Sequence, residues 1–315
     1  MSTPSRRPPL AQRRAAARDL SLPYEGVVSR TLLRGVGVDR GMVAREVAAG
    51  RWQLLGRQTV AVHTGRIGEH AHRWRAVWEV GHRIAAVDGV TALLHAGMTG
   101  FEDAVVHLSV PHAVQVGNVD GVRIHKVIRR VADELVTAGV PRTRPAVAAI
   151  RAAHWAASDR QAALLLCLPV QQRLCTGEQL VAAQREVRGR TRRALVRQLV
   201  HDVADGAHSL GELDVVAACR RRGLPEPSRQ VVRRLPGGKA YLDIRWEEAK
   251  LVVEVDAAGH GWALQSAHDA LRQNEIQLGD ELVLRIDLIG WRLTPDAYVD
   301  QVVRAYWQRA GRRAA

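Results

Sequence analysis

The stretch LVVEVD, residues 251–256, decides how the C-terminal part of this chain folds. Its apolar residues predict a buried strand, yet two of its six residues are the acids Glu254 and Asp256. A third acid, Asp243, lies just upstream in the strand-like run YLDIRW, residues 241–246. Burying an unpaired carboxylate costs several kcal/mol or forces it to take up a proton. The three acids therefore need a compensating partner.

Strand geometry predicts that the three acids share one face of a hairpin. If the turn centres on residues 247–248, Asp243 lies opposite Val252, and alternation places Asp243, Glu254 and Asp256 on the same side. Acids on a partly buried face repel one another, and Mg²⁺ or Mn²⁺ would compensate them. Such an ion polarises a phosphodiester and activates a water for in-line attack. The alternative is an amphipathic hairpin whose acids point to water.

The segment around this hairpin, residues 205–315, predicts the order helix, three antiparallel strands, helix, strand, helix. A capping box at Ser209 and Glu212 opens the first helix, and Pro295 begins the last one. The runs RQVVRRL, AYLDIRW and KLVVEVD supply the first three strands, and ELVLRID supplies the fourth. The expected fold is mixed α/β.

The acids also form part of a longer pattern, D-(x10)-E-x-D-(x3)-H, which ends at His260. Asp269, Arg272 and the run GDELVLR (279–285) follow it. Over roughly residues 205–295 this pattern resembles the PD-(D/E)XK nuclease superfamily, and most closely the branch related to very-short-patch mismatch repair endonucleases. The resemblance implies a restriction-endonuclease-like αβββαβα core. It also implies metal ligands at Asp243, Glu254 and Asp256 and Mg²⁺-dependent hydrolysis of DNA.

Two positions depart from the superfamily pattern. The usual lysine two residues after the acid is Asp256 here, and the glycine that normally follows is Ala257. His260 would replace the lysine as general base or leaving-group acid, because a histidine pKa of about 6.5 suits proton transfer at neutral pH. The alternative for His260 is a histidine at a helix entry with no chemical role.

The charge of the chain is concentrated in its first two thirds. The formal net charge is +14, and residues 1–200 hold 30 basic and 15 acidic residues, whereas residues 201–315 hold 16 and 17. A basic surface favours polyanions, nucleic acid first. The alternative is an arginine bias of a GC-rich genome.

No apolar run is long enough for a membrane span or a signal peptide, so we expect a cytoplasmic protein. The three cysteines form no CxxC pair, which argues against a disulfide framework or a zinc site.

The N-terminal part predicts a flexible basic arm over residues 1–25 and a winged helix-turn-helix over residues 26–66. Ser29 and Asp39 are suited to cap two short helices, and two short strands follow around Gly56. Arg40 and Arg45 on the second helix, with Arg51 and Arg57 at the wing, would meet phosphates or base edges of DNA. The alternative is the solvated face of a small packing domain. This region resembles the DNA-binding antitoxins of bacterial abortive-infection systems.

The middle region, residues 67–204, is predicted to be mixed and then helical. Residues 105–111 and 122–128 are predicted to form two strands around a turn. From residue 145 onward the apolar residues recur with a helical period. The run REVRGRTRRALVRQL (185–199) carries six arginines against one glutamate. Its arginines, among them Arg190, Arg192 and Arg193, form either a phosphate-facing surface or a solvated helix face.

Three functions remain open from the sequence. The leading hypothesis is a Mg²⁺-dependent DNA endonuclease that a winged helix brings to DNA. The second is a non-catalytic, antitoxin-like transcriptional repressor with a degenerate nuclease domain, which Ala257 and the missing lysine support. The third is an RNA-directed nuclease of a toxin or defence system. DNA is the expected partner, with a toxin protein or a second copy of the chain as a further one, and no membrane.

Overall fold

The computed structural model describes residues 8–204, 210–235, 238–256 and 281–314, and many side chains between residues 210 and 314 stay undescribed. The fold is mixed α and β, as the sequence predicts. The chain divides into two units, Met1–Ala152 with Glu186–Arg188, and Ala153–Arg185 with Gly189–Ala315. Within the described ranges, no helix has the length and apolarity needed to cross a bilayer.

The first unit begins with three helices and a three-stranded sheet. The elements are α1 (Leu10–Ser21), β1 (Val27–Ser29), α2 (Arg30–Gly35), α3 (Arg40–Ala48), β2 (Gln53–Leu54) and β3 (Thr59–Ala61). All strand pairs are antiparallel, and the sheet order is β1-β3-β2. Both predicted caps are confirmed: Ser29 Oγ accepts from the Leu32 amide at 3.3 Å, and Asp39 Oδ1 accepts from the Met42 amide at 2.7 Å.

The prediction of a flexible arm over residues 1–25 is wrong for residues 10–24. These residues form α1 and a 3₁₀ turn, Leu22–Tyr24. Alanine, arginine and leucine are good helix formers, and Ala17 is fully buried against Val28, Leu33 and Met42. Packing of one apolar stripe therefore orders a segment whose composition is mostly polar.

The rest of the first unit is built around a five-stranded sheet of order β6-β5-β4-β8-β7. Its elements are α4 (Glu69–Val80), β4 (Ala86–Val87), α5 (Gly89–His95), β5 (Val106–Pro111), β6 (Val122–Val127), β7 (Leu135–Val136), β8 (Arg142–Thr143) and the start of α6 (Pro145–Trp155). The sequence placed β5 and β6 around a turn, but the two strands pair in parallel, with Val106 opposite Val122. The chain between them must therefore cross back to the starting edge, which a tight turn cannot do.

The second unit begins with helices α7 (Asp159–Gln171), α8 (Gly177–Glu186, whose last residue belongs to the first unit) and α9 (Arg193–Ala204). The predicted capping box is confirmed: the Gln179 amide donates to Thr176 Oγ1 and the Thr176 amide donates to Gln179 Oε1, both at 3.1 Å. Buried Leu165, Leu166 and Leu199 belong to this helical segment.

The C-terminal segment contains a four-stranded mixed sheet. Its elements are α10 (Leu210–Arg221), β9 (Ser228–Leu235), β10 (Gly238–Trp246), β11 (Leu251–Asp256), β12 (Leu282–Asp287), α11 (Leu288–Leu293) and α12 (Pro295–Ala314). The sheet order is β12-β11-β10-β9, with β9, β10 and β11 antiparallel and β12 parallel to β11. This confirms the predicted strand sequence. The helix predicted over residues 264–279 lies outside the described residues.

A core of buried side chains from the helices and strands holds this segment together. Ile244, Trp246 and Leu251 are almost fully buried, and Tyr306 of α12 lies edge-on to the Trp246 ring. Trp246 Nε1 also donates to the Pro225 carbonyl at 2.8 Å, so its one polar atom is satisfied inside the core.

Candidate functional site

The β10–β11 hairpin has a different register from the one that the sequence predicted. Arg245, not Asp243, lies opposite Val252, because the turn spans residues 247–250 and is closed by the Lys250 amide donating to the Glu247 carbonyl at 3.1 Å. Ala249 in this turn is buried in the core, which fixes the turn position. The observed register differs from the predicted one by two residues. Because this is an even number, strand alternation still places positions 243, 254 and 256 on the same face.

Glu254 is the predicted acid whose side chain the structure describes. It lies in β11, between β10 and β12, and is only 4% exposed. Arg285 of β12 occupies the register position beside it, and Arg285 Nε approaches Glu254 Oε2 to 3.4 Å. A guanidinium beside a buried carboxylate offsets part of the cost of burying its charge. The sequence motif contained this arginine, but only the parallel pairing of β11 and β12 brings it to Glu254.

The other predicted residues of this site are described only in part or not at all. Asp243 lies in β10 and Asp256 ends β11, and their side chains lie outside the description. His260 lies outside the described residues altogether. Among the side chains that are described, no three His, Cys, Asp or Glu residues are grouped so that they could hold a metal ion.

The register also reveals a fourth acid that the sequence analysis passed over. Asp256 and Asp287 are paired as the last residues of the parallel strands β11 and β12. The two strand sequences, LVVEVD and LVLRID, both end in aspartate. This similarity is the sequence signal from which Asp287 could have been identified.

The outer face of α3 is small and basic. Met42, Val43 and Glu46 of this helix are buried, whereas its exposed residues fall on one face, namely Arg40, Gly41, Ala44, Arg45 and Ala48. The two predicted arginines thus flank this exposed face, and the exposed residues between them, Gly41, Ala44 and Ala48, have no side chain beyond a methyl group. A flat ligand can approach the helix backbone closely on such a face.

The third predicted arginine of this region, Arg51, is held in an ion pair. Arg51 Nε donates to Glu46 Oε2 at 2.6 Å, and Arg14 Nη2 of α1 donates to Glu46 Oε1 at 2.6 Å. The Arg51 guanidinium, followed by that of Arg14, holds the pKa of buried Glu46 below its ordinary value. Arg51 therefore secures Glu46 of α3 although its own side chain is 47% exposed, and Arg57, in the turn between β2 and β3, is exposed as well.

The arginine-rich run 185–199 is not one helix. Helix α8 ends at Glu186, α9 begins at Arg193, and residues 187–192 connect them. Arg190 and Arg193 are exposed. Arg192 is only 17% exposed, because it donates to Asp159 Oδ1 at 2.6 Å and to the Ala156 carbonyl at 2.8 Å.

The connection from α8 to α9 is also anchored at His154. The ring nitrogen Nδ1 of His154 lies 2.5 Å from the Thr191 carbonyl, and a Cβ on Gly189 would overlap the same imidazole. Burial lowers the pKa of His154, so the ring is neutral at neutral pH and donates its Nδ1 proton to that carbonyl. The exposed arginines are therefore carried by a fixed connection.

Comparison with known proteins gives little further information. The chain matches no protein-family model, and it matches no curated protein. Among solved structures it is similar to the RV2827C protein from Mycobacterium tuberculosis, with 16% identity, a TM-score of 0.39, and coverage of 60% of this chain and 76% of the other. A likeness of this extent assigns neither a fold nor a function.

Proposed function

We propose that this protein is a metal-dependent DNA endonuclease. In this proposal residues 10–62 form a winged helix-turn-helix that binds duplex DNA, and residues 210–314 form a restriction-endonuclease-like domain that hydrolyses a phosphodiester bond. The observation that carries the proposal is the buried carboxylate of Glu254 in the middle of a mixed sheet, in phase with the acids at positions 243 and 256.

Two features of the first unit support DNA binding. The order helix, strand, helix, helix, strand, strand, with the first strand at the sheet edge, is that of a winged helix-turn-helix. The exposed face of α3 carries Arg40 and Arg45 with Gly41, Ala44 and Ala48 around them. A helix with a small, basic outer face can enter the major groove deeply, where arginine binds phosphates or guanine edges.

The strand order of the second unit supports the proposed nuclease domain. Three antiparallel strands followed by a fourth strand parallel to the third, with helices before and after, is the order that a restriction-endonuclease-like core requires. Glu254 and Asp256 lie on β11, one of the two inner strands of this sheet. Neighbouring parallel strands present their carboxyl ends at one edge of a sheet, a common place for active-site residues.

The acids fit a divalent metal by their chemistry. Carboxylate oxygens are the ligands that Mg²⁺ and Mn²⁺ prefer, and Asp243, Glu254 and Asp256 would supply them. When bound, such an ion would polarise the scissile phosphate and lower the pKa of an attacking water. His260 would exchange a proton with the attacking water or the leaving oxygen. Arg285 Nε lies 3.4 Å from Glu254 Oε2, so a cation stands beside these ligands.

A second function, a DNA-binding repressor with an inactive nuclease domain, is favoured by the same arginine. Because Arg285 approaches Glu254, part of the charge in the sheet is already compensated by the protein itself. In that case the acids would tolerate one another without a metal, and DNA binding by the first unit would be the whole activity.

Metal binding by the whole chain distinguishes the endonuclease from the repressor. We expect Mn²⁺ and Mg²⁺ to raise the melting temperature relative to EDTA, since a ligand that binds only the folded state stabilises it. Asp243→Asn should abolish this shift. Asp296→Asn, which changes an exposed acid paired with Arg222, is the matched control and should keep it. A wild-type melting temperature that is the same in EDTA and in Mn²⁺ would support the repressor.

A further inference from the structure

The hairpin formed by β2, β3 and the turn between them (residues 53–61), which we call the wing, is held from one side by the carboxylate of Glu79 in α4. Glu79 Oε2 accepts from the Arg57 amide at 2.9 Å, and Glu79 Oε1 accepts from the Gln58 amide at 2.8 Å and from Thr59 Oγ1 at 2.5 Å. Successive backbone amides that point at one anion form a specific site for it. One carboxylate thus fixes three consecutive residues of the wing.

Arg75, one turn earlier on α4, holds the other end of the same turn. Arg75 Nε donates to the Leu55 carbonyl at 2.7 Å, and Arg75 Nη1 donates to the Asp120 carbonyl at 3.1 Å. The helix therefore presents a cation to a carbonyl of the wing and an anion to its amides. Residues 75 and 79 lie on one helix face, so a single rigid helix sets the position of both ends of the turn.

Gly56 is the residue that allows this arrangement. A Cβ at Gly56 would overlap the Glu79 carboxylate, so any larger residue would displace that side chain from the amides. The backbone φ of Gly56 does not lie in the left-handed region that favours glycine. The glycine is thus explained by the close approach of Glu79 and not by backbone strain.

We infer that Glu79 and Arg75 are positioning residues for DNA binding, and that they hold the wing so that exposed Arg57 contacts a DNA phosphate. The inference rests on the proposed function, and it extends the proposed DNA-binding region from residue 62 to the end of α4. Of the two predicted wing arginines, Arg51 is paired with Glu46, whereas Arg57 has a fixed amide and an exposed side chain that forms no ion pair among the described contacts.

Glu79→Gln tests this inference, because the positioning role and simple electrostatics predict opposite changes in DNA affinity. A glutamine offers a single carbonyl oxygen in place of two carboxylate oxygens, and its NH₂ group would face an amide proton. Removing a negative charge should by electrostatics alone strengthen DNA binding. The positioning role predicts the opposite, about tenfold weaker binding of the full-length protein to a labelled duplex and a salt slope smaller by about one unit, as for Arg57→Gln.

Three further variants complete the test. Gly56→Ala should weaken binding as Glu79→Gln does, without changing any charge. Glu69→Gln alters another glutamate of α4, an exposed one paired with Arg73, and should bind as tightly as the wild type or more tightly. The double variant Glu79→Gln/Arg57→Gln should bind no more weakly than Arg57→Gln alone, because the same phosphate contact is lost once. Melting temperatures show that each variant is folded.

Tighter or unchanged binding by Glu79→Gln, or losses that add fully in the double variant, would overturn the inference. If replacing Arg40 and Arg45 by alanine weakens binding while Glu79→Gln and Arg57→Gln do not, only the inference fails. If the wild-type protein shows no salt-dependent binding to the duplex, the DNA-binding function fails, and the inference fails with it.

Discussion

Arg151 and Asp88 are 63 residues apart in the sequence and both almost fully buried, yet Arg151 Nη1 donates to Asp88 Oδ2 at 2.7 Å. The same guanidinium donates to both carboxylate oxygens of Glu134, at 3.0 and 2.8 Å. Asp88 Oδ1 also accepts from the Gly89 amide at the start of α5. One arginine of α6 thereby joins the start of α5 to the segment before β7 in the first unit.

We expect Arg151→Met to destabilise the first unit strongly. Buried Asp88 would lose its ion pair with Arg151, and buried Glu134 would keep only its pair with Arg130. Breaking a buried pair in this way costs about 3–5 kcal/mol. The free energy of unfolding in urea measures the loss. Arg129→Met is the matched control, because Arg129 lies on the surface beside Glu186, and an exposed pair contributes about 0–1 kcal/mol. Equal unfolding midpoints for the two variants would show that the buried network is not important for stability.

The arginines of α3 should contribute to DNA binding through their charge. Replacing Arg40 and Arg45 by alanine should weaken binding and lower the salt slope by about 0.9 for each lost phosphate contact. Fluorescence anisotropy over a series of salt concentrations measures both quantities. Arg51→Ala should instead lower stability with little change in slope, because it removes the ion pair with Glu46. An unchanged slope in the Arg40/Arg45 variant would remove α3 from the interface.

The two exposed arginines near the start of α9, Arg190 and Arg193, can be separated from the half-buried Arg192 between them. If Arg190 and Arg193 contact phosphates, changing both to glutamate should weaken binding to every DNA sequence alike, and the protein should stay folded. Arg192→Ala should lower the unfolding midpoint, because Asp159 and the Ala156 carbonyl lose their donor. Wild-type affinity in the Arg190/Arg193 variant would mean that these arginines form only a solvated surface.

Stability should fall below neutral pH because of two histidines of the first unit. Burial, then Arg142, Arg73 and His70, lowers the pKa of His95 to about 4. Burial, then His107 and Arg123, lowers the pKa of His125 to about 3. The unfolded chain, with a histidine pKa of about 6.5, then binds more protons than the folded one, so stability is complete above that pH and is lost as the pH falls toward 4.

The urea midpoint of unfolding, measured between pH 7 and pH 4, tests this dependence. His95→Gln and His125→Gln should each flatten the fall relative to the wild type, because the variant side chains do not titrate. His63→Gln changes a histidine of the same unit and should leave the slope of the wild type intact. If all four proteins lose stability equally over this range, groups other than these two histidines control the acid sensitivity.

Features set by neighbouring residues could be predicted from the sequence. The caps at Ser29 and Asp39 and the box at Thr176 and Gln179 depend on residues three positions apart, and all are present. The order of the four C-terminal strands also follows from local patterns and is confirmed. Such features need no knowledge of distant contacts.

Features set by distant contacts could not be predicted. Helix α1 is ordered by burial of Ala17 against residues of β1, α2 and α3. The hairpin register depends on burial of Ala249 in the core, and the parallel pairing of β5 with β6 depends on a crossing connection. The contacts of the arginines could not be predicted for the same reason, because only the fold brings Glu46 to Arg51 and Asp159 to Arg192.

Cleavage of supercoiled plasmid DNA tests the central claim most directly. The wild-type protein should convert the plasmid to nicked or linear forms with Mg²⁺ or Mn²⁺ and not with EDTA. Asp243→Asn should lose both cleavage and the metal-dependent rise in melting temperature, and should be more stable than the wild type without metal, because one repulsive charge is gone. His260→Ala should keep the rise in melting temperature and lose only the cleavage rate.

Two observations together would contradict metal-dependent cleavage by this protein. An intact plasmid at every metal concentration, together with wild-type and Asp243→Asn proteins that melt alike with and without metal, would show that the acids hold no ion. The protein would then be a DNA-binding regulator whose nuclease-like domain has no catalytic role.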